Sequence, residues 1–128
     1  MRLVFDPVSG GVDVTGSAEE LAELAHAVTE GEGFVGSTPS LDGDTLAGIE
    51  VRKAPGTGVL IELDASRQVL VISGDPGARA ILADNLEAMA TAEDGGHLHI
   101  DHFPEHPYLL EGSVPIVVSS PHGGMPAR

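Results

Sequence analysis

The chain has 128 residues, of which 41% are apolar, and its 20 acidic side chains outnumber six basic ones to give a net charge of −14. That length suits one domain around one core, and the charge argues against phosphate backbones and anionic membranes as partners. With no cysteine, disulfides, thiolate nucleophiles and cysteine zinc sites are excluded, in keeping with a cytoplasmic setting.

A surface this acidic attracts and steers a basic protein partner. Charge kept for solubility alone is the competing explanation. No apolar run approaches the ~20 residues of a membrane span. The opening segment meets Asp6 and Pro7 too soon to be a signal peptide.

In chain order, Arg2 to Asp6 alternates polar and apolar and reads as a strand. Pro7 to Gly11 has turn chemistry and Val12 to Thr15 alternates again, so the two runs make a hairpin. Ser17-Ala18-Glu19-Glu20 opens a helix with a capping box. Leu21, Leu24, Ala25 and Val28 form its apolar stripe, and His26 is left on the surface. The helix stops at Gly31 or Gly33. Glu32 to Gly48, rich in Gly, Ser, Thr and Asp with Phe34, Val35, Leu41 and Leu46 as anchors, reads as a long loop, with a short irregular strand as the alternative, and such loops are functional or mobile.

Ile49 to Lys53 is a strand, and Val59 to Asp64 with Gln68 to Ser73 form a second hairpin around Ala65-Ser66-Arg67. Asp75-Pro76 supplies an N-cap followed by proline at the first helical position. Ala78, Ile81, Leu82, Leu86, Met89 and Ala90 give this second helix its stripe, and it ends near Ala92. His97 to Asp101 alternates as a strand that buries Leu98 and Ile100. His97, His99 and Asp101 then share the opposite face. Beyond Pro104 and Pro107, a loop anchored by Tyr108, Leu109 and Leu110 leads to a closing strand, Val114 to Val118.

An offset of 58 places Asp6 on Asp64, Val12 on Leu70, Val14 on Ile72, Gly16 on Gly74 and Leu24-Ala25 on Leu82-Ala83. The expected fold is α+β. It is a two-layer sandwich with a mostly antiparallel sheet of about seven strands, two helices on one face and an internal ββαβ repeat. Residues 1–120 are expected to form a single domain, and residues 121–128 a disordered tail.

The chain has no Walker loop, no G-x-G-x-x-G and no G-x-S-x-G elbow. Gly74-Asp75-Pro76-Gly77 could seat an anion at a helix N-terminus, although a plain strand-to-helix turn explains it as well. Asp101 with Glu105, and Asp101 with His99, are the available acid–base pairs. As letters, His97 to His102 (HLHIDH) fits the H-x-H-x-D-H signature of the metallo-β-lactamase fold. That makes His97, His99, Asp101 and His102 candidate ligands of a metal-dependent hydrolase or a metal sensor. Against this, the fold needs a longer chain with further ligands on later strands, and Leu98 and Ile100 make the segment a strand rather than a loop. No catalytic residue and no cofactor is assigned.

Two segments, GVDVTGSAEELAELA from Gly11 and GHLHID…YLLEGSVPIVV from Gly96, resemble immunity protein family 32 of bacterial polymorphic-toxin systems and its small actinobacterial relatives. The resemblance implies a small α+β protein that binds and neutralises a cognate toxin in the cytoplasm of the producing cell. It points to no catalytic residues. The chain departs from the family pattern in its longer loop from Glu32 to Gly48 and in its HFPEHP segment. On this expectation the protein is a non-enzymatic acidic binding module. Glu30, Glu32, Asp42 and Asp44 on the acidic loop, and His97, His99 and Asp101 on the histidine strand, are its candidate partner contacts. A homo-oligomer formed through an exposed strand edge is a further alternative.

Overall fold

The structure is a computed structural model that describes residues 1–8, 10–37, 45–91, 97–102, 104, 106 and 108–119. Its elements are β1 (Arg2–Phe5), β2 (Val12–Thr15), α1 (Ala18–Glu30), β3 (Gly33–Gly36), β4 (Gly48–Lys53), β5 (Val59–Asp64), β6 (Val69–Gly74), α2 (Pro76–Thr91), β7 (His97–Ile100) and β8 (Ile116–Ser119).

Both helices start where their caps require. Ser17 Oγ accepts from the Glu20 amide at 3.1 Å while Glu20 Oε1 accepts from the Ser17 amide at 2.9 Å, the reciprocal pair of a capping box. Leu21, Leu24, Ala25 and Val28 are buried, as their spacing predicts. Gly31 ends α1 at φ 83°, a left-handed conformation that glycine adopts without a Cβ clash. Asp75 caps α2 by accepting from the amides of Gly77 at 3.1 Å and Ala78 at 3.2 Å. Its other oxygen accepts from the Gly58 amide at 2.7 Å, which ties the helix start to the strand β5 that follows Gly58.

The strands form two four-stranded sheets, ordered β1-β2-β8-β7 and β3-β4-β6-β5. This corrects the single sheet of about seven strands expected from the sequence. The additional strand is β3, within the stretch read as loop. Its two glycines lower strand propensity, and the ladder to β4 overrides that local preference. Neighbouring strands are antiparallel except β2 with β8 and β4 with β6. The helices pack on each other, and α2 meets β6 of one sheet and β8 of the other. The arrangement of two helices on one face of one sheet is therefore also corrected.

The internal repeat is longer than the ββαβ unit read from the sequence. Each half runs ββαββ, and exchanging the halves turns the order β1-β2-β8-β7 into β5-β6-β4-β3. The central parallel pairs match in register. Val12 faces Ile116 and Val14 faces Val118 in one sheet; Leu70 faces Ile49 and Ile72 faces Val51 in the other. All of these are buried and share one core cluster with Leu21, Leu24, Leu82 and Leu86. Burying each such side chain contributes roughly 1.5–3 kcal/mol.

The stripe of α2 differs from its expected composition. Ile81 is 43% exposed, whereas Arg79 is 2% exposed. Arg79 occupies the position in α2 that Leu21 holds in α1, but its guanidinium finds three carbonyl acceptors. Nε donates to Gly74 at 2.8 Å, and Nη1 donates to Val28 at 2.8 Å and Thr29 at 3.0 Å. Burial of that charge is tolerated because three of its five donors are matched. Residues 121–128, expected as a tail, lie outside the described residues.

Candidate functional site

The described residues singled out as partner contacts fall in two separate places, His97 and His99 in β7 with Asp101 just after it, and Glu30 and Glu32 at the end of α1. In the first sheet, His99 faces Val117, which in turn faces Asp13, and His97 faces Ser119. The period of two puts this row on the outer face, opposite buried Ile100. His97, His99 and Asp101 are exposed, and His97 Nδ1 lies 3.1 Å from Ser119 Oγ. Asp13, His99, Asp101 and Val117 line a depression of about 250 Å³. Asp101 and His102 follow the end of β7 rather than extending its row. Among the described residues, no group of three or more His, Asp or Glu side chains is placed to hold a metal ion.

Further along the chain, His106 Nδ1 accepts from the amides of Leu109 at 3.0 Å and Tyr108 at 3.3 Å. Because amides can only donate, Nδ1 carries no proton and the neutral ring is protonated on Nε2. Burial holds His106 below the ordinary imidazole value; the charge of His102 pushes the same way, and Asp101 opposes them. Tyr108 meets the imidazole edge-on at 4.7 Å and accepts from Asn85 Nδ2 at 3.0 Å. This network fixes the loop onto α2.

Glu30 and Glu32 lie on the second surface, a groove of about 560 Å³ between the later turns of α1 and the strand β3. The structure brings them together with Glu23, His26, Phe34 and Lys53, none of which was expected there. His26 Nε2 is 3.9 Å from Glu30 Oε1. Phe34 is 57% exposed, and its ring lies over Gly48, where an added Cβ would come within 2.5 Å of Phe34 Cζ. Two sequence signals bear on this groove. Glu23, His26 and Glu30 recur at helical spacing off the apolar stripe, and Phe34 is one of only three phenylalanines, isolated among glycines. Asp42 and Asp44 lie outside the described residues.

Sheet edges differ in how they are covered. Leu46 donates to the Leu3 carbonyl at 2.9 Å, and Thr45 bridges to Val4, which shields β1. Leu110 donates to Val59 at 2.8 Å and Val114 to Ile61 at 2.7 Å, which shields β5. Among the described residues, no bridge reaches the outer edge of β3 or β7.

Residues 69–121 match the Immunity protein 32 family model. The Immunity protein 32 match agrees with the resemblance read from the sequence and spans β6, α2, β7 and β8. It therefore includes His97, His99 and Asp101, while the acidic groove lies outside it. No curated protein and no solved structure matches the chain. No helix of the described residues is long and apolar enough to cross a membrane.

Proposed function

We propose that the protein is a non-enzymatic binding module of the immunity type, which neutralises a cognate toxin by occupying a basic surface on it. The match of residues 69–121 to Immunity protein 32 carries this reading. The net charge of −14 supports it, because carboxylates facing a basic site accelerate encounter and reject acidic competitors. Glu30 and Glu32 in the groove, and His97, His99 and Asp101 beside β7, are the proposed contacts, with Asp42 and Asp44 added from the sequence. The proposed setting is the cytoplasm of the producing cell.

Co-expression with candidate toxin domains from neighbouring genes tests the proposal. Growth should be restored, and a complex should be recovered whose affinity falls as salt rises. Continued toxicity with no complex overturns it. Stoichiometric zinc in the purified protein, lost in a His97→Ala/His99→Ala variant, would turn the assignment to a metal-dependent hydrolase or sensor.

A further inference from the structure

We propose that the outer edge of β3 is a strand-addition site that takes an extended, basic segment of the partner protein. The proposal rests on the toxin-binding reading for its supposition of a protein partner, and on β3 itself for where and how that partner docks.

The backbone geometry comes first. Ser37 donates to the Ala47 carbonyl at 2.9 Å, which sets the phase of the β3–β4 ladder. Val35 then exchanges hydrogen bonds with its register partner Ile49, and its carbonyl faces β4, 2.6 Å from where a Cβ on Gly48 would sit. By the alternation of an antiparallel ladder, Phe34 and Gly36 direct their N–H and C=O groups away from β4. Such a row of outward groups is a template for another strand. Among the described residues, the chain's own segments cover the edges of β1 and β5, and none covers the outer edge of β3.

Side chains then choose the occupant. Phe34 offers an exposed apolar anchor on the outer face of its sheet, within reach of alternate side chains of an added strand. Glu23, Glu30 and Glu32 outnumber Lys53 along the groove beside it. A second copy of this chain, pairing edge to edge, would set those carboxylates against their own counterparts. A segment that alternates basic and apolar residues instead meets opposite charge on one face and the phenyl ring on the other.

The probe is a capped octapeptide of alternating Lys and Val, titrated calorimetrically into the whole protein. Two substitutions at one position isolate the backbone contribution. A Cβ on Gly36 meets only Phe34 Cε1, at 3.8 Å, so Gly36→Ala is accommodated and keeps the outward N–H. Gly36→Pro removes that donor and leaves every bond to β4 in place. Neither changes the charge, so adsorption to the acidic surface elsewhere would treat both alike. Gly36→Ala should bind as the unaltered protein does, and Gly36→Pro should bind about tenfold more weakly. A Glu30→Gln/Glu32→Gln variant, whose β3 backbone is untouched, should also bind more weakly. Equal binding to the Ala and Pro variants, or no binding to the unaltered protein, overturns the proposal. So does a concentration-dependent mass abolished by Gly36→Pro, which would make a second copy the occupant. None of these results bears on growth rescue by the whole protein, so the edge can fail while the toxin-binding reading stands.

Discussion

Arg79 in α2 donates from Nη1 to the carbonyl of Val28 in α1 at 2.8 Å, so one helix supplies the cap of the other. The last carbonyls of a helix lack partners within it, and α1 has no basic residue in its own last turn. The guanidinium supplies both the missing donors and a positive charge at the negative end of the helix dipole. It needs a small neighbour, since a Cβ on Gly31 would come 2.5 Å from Arg79 Nη1.

Arg79→Leu should therefore destabilise the protein, although leucine occupies the equivalent place in α1. The Val28 and Thr29 carbonyls lose this donor while the Gly74 carbonyl keeps only the Ala54 amide, and the expected loss is about 3 kcal/mol in urea unfolding. Gly31→Ala should cost at least about 1 kcal/mol from the left-handed backbone alone. Unchanged midpoints in both variants would contradict the capping role.

Leu24 and Leu82 hold equivalent positions in the two ββαββ halves, and both are fully buried. Leu24→Ala and Leu82→Ala should each lower stability by about 3 kcal/mol, with a cavity left in the shared core. Guanidinium unfolding measures this. Two separate transitions, one per variant, would show that the halves unfold independently rather than around one core.

Asp64 is held at about 2, chiefly by the Arg67 guanidinium and then by the Ser66 hydroxyl. A carboxylate depressed in the folded state favours folding above its unfolded value of about 3.9, and that contribution is lost as pH falls toward the folded value. NMR titration of the side-chain carboxyl should find the low midpoint, and Arg67→Ala should raise it. Arg67 also bonds Glu50 at 2.8 Å, so the same variant should raise the Glu50 midpoint, which Arg67 and Arg52 hold down.

His106 shows the opposite preference to Asp64, because burial favours its neutral form. The unfolded chain then takes up the proton first, so stability is full above about pH 6.5 and declines as pH falls from there toward the lower folded value. Melting temperatures at pH 7.5 and 5.5 should differ more for the unaltered protein than for His106→Ala. An equal difference would remove His106 from the acid sensitivity.

Local chemistry was legible in the chain. The capping box at Ser17 and the Asp75-Pro76 start placed both helices, and alternation placed seven strands. Phe34 and Arg79 escaped for related reasons. Glycines on either side hid the strand around Phe34, and nothing local to α2 shows that the carbonyls needing Arg79 lie at the far end of α1. Of the expected contacts, Glu30 and Glu32 were recognisable as acids, but the groove that joins them to Phe34 exists only once β3 lies beside α1.

The sequence by itself therefore determined most of the elements, their caps, the inner and outer faces of most strands and the family resemblance, because each depends on neighbours a few residues apart. Which strands share a sheet, and which edges the chain's own segments cover, was decided by the tertiary structure. The parallel pairings of β2 with β8 and of β4 with β6 join segments far apart in the chain, where burial of Val12, Ile116, Ile49 and Leu70 in one core selects the partner. Periodicity tells a residue which way to face, and only packing tells it what it will meet.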